Sequence, residues 1–302
     1  IDVWDMGAVQ EADTSKYNNN ITASDWDSCA NVSQAGKFVA GETTFGDLTI
    51  NHIANDRLFS TSSKNYGTNA LATTAYDDGY TAGGMYYCNG TGGETRRNVT
   101  INNVIAGDKI VVYMASSNAA TGTLVFKYLG EDNEQVEKAS FTNKGTKYEF
   151  VAKYSGSYKV YTDAAAGKPI YNRIVRIPGV AVSGTIDGAQ LSGYKVMFKD
   201  EANGITYDAD IKGNTFTATL AAGCNYTAVL SGVAGYGFSN ATKNISTTVD
   251  EALTGKSGVT LSIEEKKVYT YTGKVTGFAA DYDTSNLSVK LVADSSSLAD
   301  DV

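Results

Sequence analysis

The sequence predicts an all-β protein, in which a jelly-roll-like β-sandwich is followed by small immunoglobulin-like sandwich domains. Three observations support this fold class. The 302 residues include 31 Gly and only 2 Pro, and Gly supplies the positive φ that tight hairpin turns need. The aromatic residues are mostly Tyr, 20 against 10 Phe and 2 Trp, and rings with a polar edge suit half-exposed strands. Short alternating segments recur without an amphipathic helix.

The first predicted domain covers residues 1–177. Asn- and Ser-rich loops come first, and a series of alternating or continuously apolar segments follows. These segments predict strands that begin at Asn98, Lys109, Thr123, Lys147, Gly156 and Tyr171. Strands at this spacing favour two packed sheets, and a jelly roll is the expected arrangement.

Pro178-Gly179 interrupts the chain, and shorter segments with cleaner alternation follow it. Strands are predicted to begin at Val180, Tyr194, Ile205, Thr215 and Tyr226. This rhythm predicts an immunoglobulin-like sandwich over residues 178–265, and it resembles the repeats of the carboxypeptidase-regulatory and Cna-B type. Residues 266–302 echo the opening of that pattern, so we expect them to begin a second, incomplete copy.

Charge and hydrophobicity exclude several classes of partner. The formal net charge of -8 disfavours a nucleic-acid backbone as a ligand. No segment reaches the roughly 18 apolar residues of a membrane span, and the chain does not open on a signal peptide. We therefore expect an extracellular or cell-surface piece of a longer protein, with no membrane span and no nucleic-acid partner. The three cysteines are far apart, so at most one bridge, Cys29 to Cys88, could form.

Catalytic chemistry finds little support in the sequence. His52 is the only histidine, which excludes multi-histidine metal sites. A Ser-His or Cys-His arrangement would therefore have to use His52 as its base. Carboxylate pairs of the kind that glycosidases use are available at Asp77-Asp78, or at Asp5 with Asp25 and Asp27, but nothing separates them from ordinary loop acids. The chain is therefore predicted not to be an enzyme and to need no cofactor. A structural calcium ion bound by the Asp25 or Asp77 loop stays an open alternative.

A binding site is predicted between residues 55 and 97, where basic side chains mix with tyrosines and glycines. Arginine pairs a carboxylate bidentately and a tyrosine ring covers the apolar face of a pyranose, so this mixture suits an acidic sugar. The alternative is that these residues only brace loops and fill the core. The predicted ligand-binding residues are Arg57, Lys64, Tyr66, Tyr80, Tyr86, Tyr87, Arg96 and Arg97.

Several short motifs resemble one known family. They are VWDMGA at residues 3–8, KYNNNIT at 16–22, NDRL at 55–58, AGDK at 106–109 and GSYKVY at 156–161. In this order they resemble the non-catalytic β-sandwich modules attached to secreted pectate lyases and pectin esterases of Firmicutes. The resemblance covers residues 1–177, and it departs from the family at Phe59, where the family tends to have a second arginine. Trp4 is expected to fill the core.

The resemblance implies a bacterial carbohydrate-binding part of an extracellular pectin-degrading protein. Its partners would be a plant polysaccharide, pectin or homogalacturonan, and a catalytic pectinase domain in the same longer chain. Binding would raise the local concentration of substrate for that domain. Two other hypotheses stay open: a structural or adhesive stalk without sugar binding, and an enzyme whose carboxylate pair is not recognised.

Overall fold

The computed structural model describes residues 1–117, 122–131, 134–141, 143–163 and 167–266. These residues form four β-sheets and a few short helical turns, so the predicted all-β sandwich fold is confirmed. The predicted second, incomplete copy at residues 266–302 lies outside the described residues from residue 267 onward. The two α-helices of the described part, α1 (Ala23–Ser28) and α2 (Glu251–Thr254), are short, and no helix in that part is long and apolar enough to cross a membrane.

The first sandwich contains thirteen strands and one 3-10 helix, Ala70–Thr73. The strands are β1 Asp2–Asp5, β2 Asn18–Asn19, β3 Gly41–Phe45, β4 Leu48–His52, β5 Arg57–Phe59, β6 Met85–Tyr87, β7 Asn98–Val104, β8 Lys109–Ser116, β9 Gly122–Tyr128, β10 Val136–Phe141, β11 Thr146–Val151, β12 Gly156–Thr162 and β13 Pro169–Ile177.

Eight of these strands have the connectivity of a jelly roll. One sheet has the order β11-β8-β13-β1, and the other has the order β10-β9-β12-β7. In chain order β1, β7, β8 and β9 alternate between the sheets, β10 stays beside β9, and β11, β12 and β13 alternate again. The segment between β1 and β7, residues 6–97, carries β2 to β6 and extends both sheets. The irregular first third of the sequence is thus an insertion into a regular jelly roll.

Aromatic side chains on the inner faces bind the two sheets together. The ring of Phe126, on β9, stacks on Phe150 of the opposite sheet with 4.8 Å between centroids, and on Tyr158 with 4.5 Å. Trp4 is fully buried, as expected, and its Nε1 donates a hydrogen bond to the carbonyl oxygen of Phe45 at 2.8 Å. Strands such as β4 and β12 alternate core and surface residues, whereas β8 is buried along its whole length. Burial of the large aromatic rings stabilises the packing of the two sheets.

The second sandwich has nine strands in two sheets. The strands are β14 Val180–Gly188, β15 Lys195–Asp200, β16 Ile205–Asp208, β17 Asp210–Lys212, β18 Thr215–Leu220, β19 Asn225–Ser231, β20 Tyr236–Phe238, β21 Asn244–Ser246 and β22 Lys256–Glu265. The five-stranded sheet has the order β17-β18-β14-β22-β20, and the four-stranded sheet has the order β16-β15-β19-β21. The rings of Phe198 and Phe216 meet between the two sheets, with 5.5 Å between centroids.

The sheets change at Pro178-Gly179, since β13 ends at Ile177 and β14 begins a different sheet at Val180. The two sandwiches are in contact there. The Gly179 amide donates a hydrogen bond to Asp108 Oδ1 at 3.3 Å. Close by, Val151 of the first sandwich packs in one buried cluster with Ile205 and Ala221 of the second.

Candidate functional site

The candidate site lies on the outer face of the first sandwich, where β5 and β6 continue the seven-stranded sheet beside β13. Arg57 is directly opposite Tyr87, and Tyr87 is opposite Ile170. Residues that lie directly opposite each other on paired strands point their side chains to the same face of the sheet. The neighbours Leu58 and Tyr86 face the main core, so Arg57 and Tyr87 lie on the other face of the sheet. On that face Arg57 is half-buried, and Tyr87 is buried in a smaller apolar cluster with Phe59 and Ile170.

Arg57 is held against two tyrosine rings. Its Cζ lies 4.5 Å from the ring centroid of Tyr66 and 5.4 Å from that of Tyr87. The Tyr66 amide donates to the carbonyl oxygen of Leu58 at 2.8 Å, which fixes the Tyr66 ring beside β5. Phe59 packs edge-on against both rings, with centroid distances of 5.5 and 6.2 Å. Phe59 is the residue at which the sequence departs from the family that it resembles, and here it supports both tyrosine rings.

Two lysines flank this arrangement. Lys37 forms an isolated β-bridge with Arg57, and its Nζ lies 6.0 Å from the ring centroid of Tyr66. Lys168 Nζ lies 6.0 Å from the ring centroid of Tyr87 and donates a hydrogen bond to Asn89 Oδ1 at 3.2 Å. We call the surface formed by Lys37, Arg57, Tyr66, Tyr87 and Lys168 the basic–aromatic surface.

The basic–aromatic surface concentrates positive charge in an acidic protein. Among the described residues, no carboxylate forms an ion pair with Lys37, Arg57 or Lys168, and the Arg57 guanidinium donates no hydrogen bond. Arg57 is half-buried and positioned by cation–π contacts. Its N–H groups are thus oriented yet without a protein acceptor in the described part. This arrangement can accept a carboxylate without first breaking an internal ion pair.

The structure brings three of the eight predicted residues together, Arg57, Tyr66 and Tyr87, and places the others elsewhere. Tyr86 is fully buried and donates to Asp56 Oδ2 at 3.0 Å. Arg97 pairs with the same buried carboxylate. Lys64 is also buried and donates to the carbonyl oxygen of Cys29 at 2.6 Å. These three side chains stabilise the interior of the insertion and present little to a ligand.

The remaining two predicted residues lie outside the basic–aromatic surface. Tyr80 stacks on Tyr76 with 5.5 Å between centroids and donates to Asp5 Oδ2 at 2.8 Å. Arg96 is exposed, and its nearest polar contact is Thr91 Oγ1 at 3.4 Å. Lys37 and Lys168 were not predicted. No local signal marks them, because the pairing of distant strands brings them to Arg57 and Tyr87.

The residues considered for catalysis have structural partners. His52 is buried, with Nδ1 2.7 Å from the carbonyl oxygen of Val39 and Nε2 2.9 Å from Thr43 Oγ1. A carbonyl only accepts, so Nδ1 carries the proton and Nε2 accepts from the hydroxyl. Burial lowers the pKa of His52 and favours this neutral form.

Four of the five candidate acids are likewise engaged in hydrogen bonds. Asp5 accepts from the Gly7 amide at 2.9 Å, and burial raises its pKa. Asp25 completes the capping box of α1, and Asp27 accepts from the Ser63 hydroxyl at 2.7 Å. Asp78 accepts from the Tyr113 hydroxyl at 2.7 Å, whereas Asp77 is exposed.

Among the described residues, no group of three or more His, Cys, Asp or Glu side chains is placed to hold a metal ion. The cysteines that could have paired, Cys29 and Cys88, are both buried and free. Comparison of the chain with protein-family models and with curated proteins finds no match. Function is therefore inferred from the chemistry of the residues themselves.

Proposed function

We propose that this chain is a non-catalytic carbohydrate-binding part of an extracellular protein that degrades pectin, and that it binds a carboxylated plant polysaccharide such as homogalacturonan. The observation that carries the proposal is the orientation of Arg57 by Tyr66 and Tyr87. A planar guanidinium matches a carboxylate with two parallel hydrogen bonds, which a hydroxyl of a neutral sugar does not reproduce.

The flanking residues extend this recognition along a polymer. Lys37 and Lys168 each lie 6.0 Å from one of the two rings, so they add positive charge on either side of Arg57. Homogalacturonan carries one carboxylate per sugar, and neighbouring carboxylates could reach these ammonium groups. Tyr66 is half-buried and offers ring surface to the apolar face of a sugar.

Binding is tested by titrating the chain with an unesterified oligogalacturonide and with its methyl-esterified form in a calorimeter. We expect the unesterified form to bind more tightly, and Arg57→Ala to weaken its binding at least tenfold, since a charge-assisted contact contributes about 1.5 to 3 kcal/mol. Lys138→Ala is the matched control, because Lys138 is an exposed cation on the other sheet. Equal binding by Arg57→Ala and the parent would refute the proposal, as would measurable release of reducing sugar by the parent.

A second candidate function is a structural stalk. The packed junction between the two sandwiches favours this function, because Val151 buries apolar surface against Ile205 and Ala221. The Gly179 amide also donates a hydrogen bond to Asp108. Two sandwiches joined in this way would serve as a stiff spacer between other domains. Absence of binding to both forms of the oligogalacturonide in the titration above would favour the stalk.

A further inference from the structure

A cleft of about 520 Å³ with a mixed polar and apolar lining lies where the two sandwiches meet. Ala106 and Lys153 contribute to it from the first sandwich, and strands β14, β16, β17 and β18 of the second sandwich form the rest. Ligand sites in proteins occur preferentially at such domain junctions, and their volumes are of this order. We call this space the junction cleft.

Hydroxyl and carboxylate groups line the floor of the junction cleft. Ser183 is opposite Thr217 in the five-stranded sheet, and Thr217 is opposite Asp210. These three side chains therefore form one row across three strands, and each lines the cleft. Asp208, at the end of β16, adds a second carboxylate. The row can both donate and accept hydrogen bonds, as a polyhydroxylated ligand requires.

The charge of the junction cleft differs from that of the basic–aromatic surface. Asp208 and Asp210 are exposed, and neither forms an ion pair within the described part of the chain. Lys153 is the cation among the lining residues, and it too has no ion-pair partner there. With two carboxylates against one ammonium, a ligand that carries its own carboxylates would meet net repulsion.

We infer that the junction cleft binds a neutral oligosaccharide. Asp208 and Asp210 would accept hydrogen bonds from sugar hydroxyls, while Ser183 and Thr217 would both donate and accept. Tyr207, which also lines the cleft, supplies aromatic surface for the apolar face of a ring. This inference uses other residues than the proposed function and stands apart from it. If both sites bind, one chain engages an acidic and a neutral stretch of polysaccharide at once.

The test is a calorimetric titration of the whole chain with cellohexaose, xylohexaose and galactohexaose, and with an unesterified oligogalacturonide for comparison. We expect at least one neutral hexasaccharide to bind, and the double variant Asp208→Ala/Asp210→Ala to weaken that binding about tenfold or more. Thr217→Val, which keeps the branched shape and removes the hydroxyl, should weaken it severalfold. Arg57→Ala should leave it unchanged.

Asp187→Ala is the matched control, because Asp187 is an exposed acid on β14 that does not line the junction cleft. The inference is wrong if none of the three neutral sugars binds, or if the double variant binds them as the control does. Loss of neutral-sugar binding on Arg57→Ala would also overturn it, since that result assigns both ligands to the basic–aromatic surface. Failure of the parent chain to bind the oligogalacturonide, with its neutral-sugar binding intact, would count against the proposed function only.

Discussion

Arg97 Nε donates a hydrogen bond to Asp56 Oδ1 at 2.8 Å, and the Asp56 side chain is completely buried. The same carboxylate accepts from the amides of Asn89 and Ile53 and from the Tyr86 hydroxyl. Asp56 thus ties together the end of β4, strand β6 and the turn before β7. A buried charge with several donors is costly to leave without its cationic partner.

Arg97→Ala is therefore expected to lower the free energy of unfolding by about 3 kcal/mol, because it leaves Asp56 buried and unpaired. The neighbouring variant Arg96→Ala removes an exposed side chain and should change stability by less than about 0.5 kcal/mol. Urea unfolding followed by tryptophan fluorescence measures both. Similar unfolding midpoints for the two variants would show that the ion pair contributes little.

The contrast between Arg96 and Arg97 shows what the sequence could predict and what it could not. The mixture of cations and tyrosines indicated the stretch in which the structure brings Arg57, Tyr66 and Tyr87 together. It did not say which residue of an adjacent pair faces the core, because a shift of one residue in a short strand exchanges the two faces. Tyr86 and Tyr87 are such a pair: the first fills the core and the second lies under Arg57.

The regular strands were easier to predict than the insertion. Strands β8 and β9 have the apolar runs and alternation from which they were predicted, because the packing of two faces selects those patterns. Strands β5 and β6 have only three residues each, too few for a periodic signal. Their position depends on pairing with β13, more than 80 residues away, and that pairing also brings Lys168 to the site.

Close packing of glycines holds β6 in place and gives a second prediction. A Cβ added to Gly84 would lie 2.1 Å from the carbonyl oxygen of Phe59 and 2.4 Å from the Cα of Gly7. Backbone atoms cannot yield at such distances, so Gly84→Ala should cost 2 kcal/mol or more, on the order of a severe overpacking. Because Phe59 and Arg57 share β5, the same variant should also weaken binding at the basic–aromatic surface.

Gly93→Ala is the matched control for Gly84→Ala. No atom lies within 4 Å of the added methyl group, and Gly93 does not have a positive φ. The free energy of unfolding of Gly93→Ala should stay within about 1 kcal/mol of that of the parent, and a small increase is the more common outcome. Thermal unfolding measures the stability of both variants. A Gly84→Ala protein as stable as the parent would show that Gly84 can move away from Phe59 and Gly7 without loss of stability.

The single histidine gives a third prediction, about pH. Burial lowers the pKa of His52 in the folded protein below its ordinary value of about 6.5. The unfolded chain therefore takes up a proton first as the pH falls below about 6.5, and the stability contributed by neutral His52 is lost between that pH and the lowered pKa. Above about 6.5 both states are neutral and the full contribution is present.

Because the chain has one histidine, its imidazole signal in a proton NMR titration is unambiguous. We expect a midpoint below 6.5 in the folded protein and a return to about 6.5 in urea. The variant His52→Gln should show a flatter dependence of stability on pH between about 7 and 5. A folded-state midpoint above 6.5 would reverse the sign of this contribution and contradict the prediction.

The last prediction separates charge from geometry at Arg57. Arg57→Lys keeps the positive charge but loses the planar fork and much of the contact with the Tyr66 and Tyr87 rings. We expect it to bind an unesterified oligogalacturonide about tenfold more weakly than the parent, closer to Arg57→Ala than to the parent. Raising the salt from about 0.05 M to about 0.5 M should weaken the parent's binding too, because exposed charges such as Lys37 are screened. If Arg57→Lys binds as tightly as the parent at both salt concentrations, recognition depends on net positive charge alone, and the two tyrosines serve only to pack the insertion against β13.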